Sequence, residues 1–538
     1  MTMKAINKIL LTLAIGAPLT LSSCLDETFP TDEITSEQLE QSSKALDSAV
    51  GGIPSYMKTY GVWPVGGRPD ATDFAYPAQM IIRDVMCQDM IQVYNNYQHF
   101  INFQRISVVI NQDYLLNQIV WYYYNLQVKQ ANDVIGLIDP ATASALERNM
   151  LAQALTFRAF IYLDMARMYE WLPNEKSTNI NSYGNDIAGL TVPISDVRKP
   201  VDELDNPRAT HKEMFDFILS DLDEAEGYFM VNNSRNDKTR PNLSVVYGLK
   251  ARLYMWDENY PKAAEYARLA KAGYTPLTKD QWLNPNSGFN DMNANNSWMF
   301  AIHQSKEDAC VNTTYSNWTS FMSSEGDVGY ACSGDHDNPM VADVSFYNQI
   351  SNRDWRKLSW VAPAGSELSE QNVYTRASDA GKIQEYATLK FRNGQGNMNN
   401  NDICWATDIP LMRVEEMMLI EAEAEAHSNP AEGKRLLEEF MKTRNPQYQF
   451  ISSDMEDVID EIFFQKRVEF WGEGIILFDF KRLNKSVIRE YDGSNWPADA
   501  QFNTNGRPGW LNFTMCGYEG ELNKACEGMN NPDVGGTF

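Results

Sequence analysis

Gly248-Leu249-Lys250-Ala251-Arg252-Leu253-Tyr254, then Asp257-Glu258-Asn259-Tyr260-Pro261, then Ala263-Ala264-Glu265-Tyr266-Ala267 read as two short helices joined by a tight turn. Small residues at Gly248, Ala251, Ala263, Ala264 and Ala267 let two helical backbones approach closely, and Tyr260 seals the turn. The pattern extends on both sides. From Ala145 to Tyr169 apolar residues recur at Leu146, Met150, Ala154, Phe157, Ile161, Met165 and Met168, in steps of 4 or 3 that draw one stripe along a helix. Tyr114 to Ile138 is a second helix, stopped by Asp139-Pro140. Thr210, with Glu213 three residues on, forms a capping box that opens a helix from about Lys212 to Tyr228. Later helices are expected over Pro410 to His427, Ala431 to Lys442 and Asp454 to Phe470.

The Gly248–Ala267 pair resembles one tetratricopeptide repeat, and the helices around it are expected to pair likewise. Between about 272 and 407 the helical period is lost. Gly, Asn, Pro, Ser and Trp dominate, with short alternations such as Trp298 to Ile302 that suggest strand fragments. The segment from Tyr60 to Tyr97 is similarly irregular and aromatic. Irregular stretches this long inside a folded chain are functional loops or inserted subdomains. The expected fold is mainly α. Helical parts lie at about 36–60, 100–271 and 408–490, and irregular parts at about 60–99 and 272–407.

Composition narrows the function. The chain has 538 residues, 43% of them hydrophobic, enough for a large core. Its formal charge of −26 repels phosphate backbones and anionic lipid, so neither nucleic acid nor polybasic membrane attachment is expected. The 13 Trp, 26 Tyr and 24 Phe suit either a large helical core or a surface that stacks flat polar ligands.

Residues 1–23 read as a signal peptide: Lys4 and Lys8, an apolar run from Ile9 to Ala17, then Leu21-Ser22-Ser23 before Cys24. That ending resembles a bacterial lipobox, in which Cys24 would carry the lipids after cleavage. An ordinary signal peptide with an incidental Cys is the other reading. No other stretch is long and apolar enough to span a bilayer. Cys87, Cys310, Cys332, Cys404, Cys516 and Cys526 are too scattered for a disulfide scaffold. Cys516/Cys526 is the nearest pair.

Chemical motifs are sparse. None of the five His lies in H-E-x-x-H spacing, and no G-x-S-x-G or Walker A loop occurs. Gly394-Gln395-Gly396 starts like a dinucleotide loop but meets Asn399 in place of the third Gly. Ser333, Asp335 and His336 read as a polar loop. Asp291-Met292-Asn293-Ala294-Asn295 begins like a calcium loop, yet Ile302 stands where a bidentate Glu belongs. An Asn-rich loop is the plainer reading and a structural calcium the alternative; no other cofactor is expected. Glu469 and Glu473 could imitate a glycosidase pair. With Arg467, Lys481 and Arg482 nearby, a charge network at the helix end is the simpler use. Glu415, Glu416, Glu421, Glu423 and Glu425 read as a solvated, Ala-backed helix face.

An ordered set of segments carries a family resemblance. It runs through Trp121-Tyr122-Tyr123-Tyr124-Asn125, Phe157-Arg158-Ala159-Phe160, Gly189-Leu190-Thr191-Val192-Pro193 and Arg208-Ala209-Thr210. It continues through Ile409-Pro410-Leu411-Met412-Arg413-Val414-Glu415 and Lys466-Arg467-Val468-Glu469-Phe470-Trp471-Gly472-Glu473-Gly474. Together these resemble the SusD/RagB family of nutrient-binding outer-membrane lipoproteins. Ile475-Ile476, Glu170 and the residues ahead of Glu521 depart from the family pattern, within the scaffold. The resemblance implies four tetratricopeptide-like helix pairs and an irregular ligand-binding region. It implies a lipid-anchored position at the outer-membrane surface, as a lid on a SusC-like TonB-dependent transporter that receives captured oligosaccharides. Arg158, Arg413 and Glu415 are then ties between helices. Asp26-Glu27 after Cys24 resembles a surface-export tag of Bacteroidetes lipoproteins.

A sugar offers a flat C–H face for aromatic rings and hydroxyls for amides and carboxylates. The expected binding residues are therefore Trp298, Tyr315 and Trp318 beside Asn312 and Asn317, with Tyr94, Asn95, Tyr97 and Asp70 from the earlier irregular segment. Three other readings stand beside glycan capture. They are peptide capture by a relative of the same family, a surface glycoside hydrolase, and a purely structural helical adaptor.

Overall fold

The computed structural model describes residues 43–62, 70–93, 99–106, 111–202, 204–313, 316–326 and 339–533. Cys24, Tyr94, Asn95, Tyr97, Tyr315, Cys332, Ser333, Asp335 and His336 lie outside these ranges.

Capping fixes where two of the longest helices begin. Ser144 with Glu147, and Thr210 with Glu213, each close a reciprocal box in which the hydroxyl accepts the third backbone N–H and the Glu accepts the cap's own N–H. The longer helices are α1 (Ser43–Tyr56), α2 (Ala75–Val85), α3 (Leu115–Gly136), α4 (Ala145–Tyr169), α5 (His211–Val231), α6 (Leu243–Trp256), α7 (Tyr260–Ala270), α8 (Val414–Ala426), α9 (Pro430–Lys442), α10 (Met455–Glu469) and α11 (Ile476–Arg482). From α3 to α9 each packs on the next, and α10 packs on α8. Neighbours in sequence are thus neighbours in space, as in a helical-repeat stack. Because α7 packs directly on α8, the 272–407 excursion leaves and rejoins one continuous stack.

The expected stripe on α4 proves to be only part of its buried surface. Ala152, Leu155, Ala159, Leu163 and Ala166 are as buried as the stripe, because α3 and α5 clasp the helix from two sides. Leu146 is instead exposed. Gly248 marks where α6 meets the next layer: a Cβ there would lie 2.3 Å from Met412 Sδ. Arg158 ties α3, α4 and α5. Its Nε and Nη2 donate to Asp221 (2.8 and 2.7 Å), and its Nη1 donates to Asn132 (2.7 Å) and Asp196 (2.8 Å).

The helix expected from Pro410 starts only at Val414. Asp408–Arg413 is a strand, β6, paired antiparallel with β4 (Trp298–His303) in the register Trp298↔Arg413 to His303↔Asp408. Every residue of β6 is buried, so pairing with β4 supplies backbone partners in a dry environment and overrides the local helical pattern. Two further two-stranded sheets pair β1 (Met90–Gln92) with β5 (Met340–Ala342), and β2 (Leu190–Pro193) with β3 (Arg208–Thr210).

The Glu run on α8 is a second departure. Glu415, Glu416, Glu421 and Glu423 are buried rather than solvated, and each meets a cation. Glu415 faces Arg413 and Arg444, Glu416 faces Arg252, Glu421 faces Arg268 and Lys271, and Glu423 faces Lys466 and Arg482. Because α8 is enclosed by α7, α9 and α10, it has no solvated side. Cys87, Cys310, Cys404, Cys516 and Cys526 are free, so Cys516 and Cys526 do not pair.

Asp84, in α2, is buried and accepts the Gly474 N–H at 3.1 Å. Burial pushes its carboxyl up to about 7, against the opposing pull of that N–H and of Arg83. Between the unfolded value of ~3.9 and this folded value, the folded chain keeps a proton that the unfolded chain has lost, so this group's contribution falls as pH rises through that window. Asp84→Asn is expected to be more stable than the parent at pH 8 and equal to it near pH 4, as measured by urea midpoints at the two pH values.

Candidate functional site

The two irregular segments meet. β1, from the earlier one, pairs with β5, from the later one, through Met90↔Ala342, Ile91↔Val341 and Gln92↔Met340. Beside this ribbon the Phe74 ring stacks on Phe321 (centroids 5.5 Å apart, planes at 9°), and Phe100 meets Phe321 edge-on at 4.9 Å. Lys58 bridges to Asp308 at 2.7 Å. The junction is pinned to the scaffold from below. Arg467 on α10 forks onto both Asp89 oxygens, Trp471 Nε1 donates to the Asp89 carbonyl (2.8 Å), and Arg489 donates to the carbonyls of Val85, Cys87 and Gln104.

Two of the expected contact residues, Asp70 and Asn312, sit at this junction, beside His99. Asp70 is half-buried, and its Oδ1 accepts the Thr72 N–H (2.8 Å) and hydroxyl (2.6 Å). His99 lies 5.9 Å from Phe321; burial holds its imidazole below the usual value, and the nearby Asp70 charge pulls the other way. Asn312 is exposed, with Nδ2 turned onto the Asp308 carbonyl at 3.3 Å.

The two tryptophans are corrections. Trp298 is 0% exposed and Trp318 is 1% exposed, so neither presents a face to a ligand. Trp298 opens β4 and packs against Phe289, and Trp318 meets Phe391 edge-on at 5.1 Å. Large flat rings fill the space between the strand pair and the helices, the ordinary use of Trp in a big core. Asn317 is also buried; its Oδ1 accepts the Ser320 N–H (2.9 Å) and caps the short turn Trp318–Met322.

One pair, an exposed imidazole on a buried carboxylate, escaped the sequence reading. Half-exposed His303 closes on Asp408, Nδ1 to Oδ1 at 2.6 Å. That hydrogen bond raises the imidazole's affinity for a proton, against a smaller opposing effect of burial. The two residues lie 105 apart along the chain, and only the β4–β6 register brings them opposite each other.

The carboxylates that could imitate hydrolytic machinery are sealed in the scaffold. Glu469 is 0% exposed and bridges Arg356, Arg413 and Arg444. Glu473 takes Arg413 and Lys390. The neighbours expected from sequence are engaged elsewhere: Arg467 with Asp89, Lys481 with the carbonyls of Arg167, Met168 and Glu170, and Arg482 with Glu423 and Asp479. In the calcium-like loop Lys238 Nζ donates to the Asn295 carbonyl (2.8 Å) and to that of Met292. Among the described residues no group of three or more His, Cys, Asp or Glu is placed to hold a metal ion. None of the described helices is long and apolar enough to cross a membrane.

Two family models match the chain. One, described as starch-binding associating with outer membrane, covers residues 72–255, and the other, described as SusD family, covers residues 277–515. No curated protein matches. Among solved structures, a SusD-like carbohydrate binding protein from Bacteroides vulgatus is 20% identical with TM-score 0.69, over 90% of this chain and 96% of that one. A SusD superfamily protein from Bacteroides thetaiotaomicron is 16% identical with TM-score 0.67, over 91% and 99%. Surface glycan-binding protein A from the same organism is 17% identical with TM-score 0.61, over 91% and 98%. At such identities the structural likeness speaks for the fold, and the two family models, matching successive parts of the chain, speak for descent: the chain belongs to the SusD/RagB family.

Proposed function

We propose that the chain is a non-catalytic glycan-capture lipoprotein, anchored at the outer-membrane surface through Cys24, that passes oligosaccharides to a SusC-like TonB-dependent transporter. The observation that carries this reading is the meeting of the two irregular segments on a rigid scaffold, at β1–β5 and the Phe74–Phe100–Phe321 cluster. Family membership and the likeness to solved structures named as a carbohydrate binding protein and a surface glycan-binding protein support it. The contact residues proposed are Tyr94, Asn95, Tyr97 and Tyr315 with Asp70 and Asn312, rings for the sugar face and polar groups for its hydroxyls. Burial of Glu469 and Glu473 in arginine bridges supports binding without cleavage.

The test is retardation in native gels containing single glycans from a plant, host and microbial panel. The full chain is expected to be retarded by at least one glycan. A Tyr94→Ala/Tyr315→Ala double variant is expected to lose at least tenfold in affinity with an unchanged melting temperature. Retardation by none of the glycans, or new reducing ends in the incubated polymer, would overturn the reading. Binding of a peptide panel instead would favour peptide capture. Release of the Cys24→Ser chain from membranes, and co-purification of the parent with a barrel protein, test the anchor and the partner.

A further inference from the structure

Inside the helical stack, away from the junction of the irregular segments, lies a cavity of about 350 Å³. That volume falls at the low end of the ~300–1,000 Å³ range of small-molecule sites. Its apolar wall is Trp256, Ile420, Phe470, Ile475 and Phe478. Six cations also line it: Arg167, Arg252, Lys466, Lys481, Arg482 and Arg507.

Most of that charge is engaged. Arg252 forks onto Glu416 (2.6 Å for both bonds). Arg167 holds Asp164 at 2.6 Å and lies over the Phe478 ring. Lys466 takes Glu423 and Asp479, and Lys481 caps three carbonyls at the end of α4. The lining acids are engaged too: Glu170 accepts from Trp256 Nε1 (2.7 Å) and faces His211 Nδ1 (2.8 Å), whose Nε2 faces Asp257 at 3.4 Å. Glu258 lies exposed among the lining residues.

Among the lining residues the buried side-chain polar atoms left without a partner are Arg482 Nη1 and Arg507 Nε. Both are donors and both are cationic. The Tyr260 hydroxyl lies close to Arg482, yet Nη1 makes no hydrogen bond. Arg482 already pairs with Glu423 and Asp479 through Nη2, whereas Arg507 makes no ion pair among the described residues, so a carboxylate satisfies its free N–H with a gain in charge pairing that a neutral ligand lacks. Arg507 also lines a neighbouring polar groove with Asn174, Glu175, Asn484, Ser486 and Asn505. With −26 on the whole chain, attraction for an anion must be local to these guanidinium groups.

We propose that this cavity is a second ligand site, separate from the glycan-capture surface, for a small carboxylate carried on a ring. Its carboxylate sits on Arg507 and Arg482, and its ring lies against the apolar wall at Ile420 and Ile475, since Arg167 covers Phe478 and His211 covers Trp256. Two kinds of molecule share this chemistry, a sugar acid and an aromatic acid, and the test separates them.

Titration calorimetry on the full chain uses D-galacturonate, D-glucuronate and phenylacetate, with glucose as the neutral control. At least one acid is expected to bind, and glucose is not. Arg507→Gln, which gives up one hydrogen bond to the Lys481 carbonyl (2.7 Å) and no ion pair, is expected to weaken that acid at least tenfold. Leu172→Trp, which narrows the cavity from its lining, is expected to abolish it. Both variants should keep the parent's glycan retardation, so failure here is distinguishable from failure of the glycan reading. Binding of the sugar acids but not phenylacetate, or the reverse, assigns the ring. Absence of heat with all three acids, equal binding of glucose, or an unchanged affinity in Arg507→Gln would overturn the proposal.

Discussion

Glu469→Gln is expected to destabilise the folded chain by about 3–5 kcal/mol, the cost of leaving a buried charge network unbalanced. Four cations, Arg356, Arg413, Arg444 and Lys390, face four carboxylates, Asp354, Glu415, Glu469 and Glu473, and all eight are buried. Glu469 is the centre, at 3.0 Å from Arg356, 3.1 Å from Arg413 and 2.9 Å from Arg444. Gln keeps the shape and removes one charge, so the network carries an uncompensated cation in a dry interior. Burial alone would raise the Glu469 pKa; Arg444, Arg413 and Arg356 outweigh it and hold the carboxyl well below the usual range. A depressed folded pKa means the stabilisation is complete above the unfolded value of ~4.3 and is lost as pH falls below it. The gap between parent and variant should therefore be widest at neutral pH and close in acid. Urea midpoints at pH 7 and pH 3 check this, and an equal gap at both would show that charge is not the cause.

Gly474→Ala has the second large effect, about 2–5 kcal/mol. Its φ of +70° is in the left-handed region, which costs an L side chain ~1–2 kcal/mol. A Cβ would also stand 2.4 Å from Met80 Cα and 2.9 Å from its carbonyl oxygen, so α2 must shift, an overpacking term of ~1–3 kcal/mol. Gly493→Ala separates the two terms. It has φ +81° with open space around it, so only the conformational cost should remain. If the two variants melt alike, the contact between Gly474 and α2 carries nothing.

The helical stack was legible because its signals are local. The cap at Thr210 and small residues at helix crossings act within a few positions of the chain. What sequence could not supply was long-range pairing. Pro410–Arg413 reads as the start of a helix until Trp298–His303, more than a hundred residues earlier, is set beside it. The Glu run of α8 has the spacing of a wet face and becomes buried only because three helices enclose it. Trp298 and Trp318 failed as contact residues for a related reason: a ring that can stack on a ligand can equally fill a core, and local sequence does not distinguish the two. The family motifs, by contrast, turn out to be network residues. Arg158, Arg413, Glu415, Glu469 and Glu473 hold elements together, which is why they could mark a fold without marking a ligand site.

The β4–β6 ladder closes the base of the 272–407 excursion, bringing its departure and return side by side. For a loop whose ends are already joined, adding or removing residues at the tip changes closure entropy only logarithmically, by about 0.6 kcal/mol per doubling. Length changes at the exposed turns of the excursion are therefore cheap, whereas Arg356 and Lys390, which join it to the buried charge network, fix where the rest of it lies against the stack.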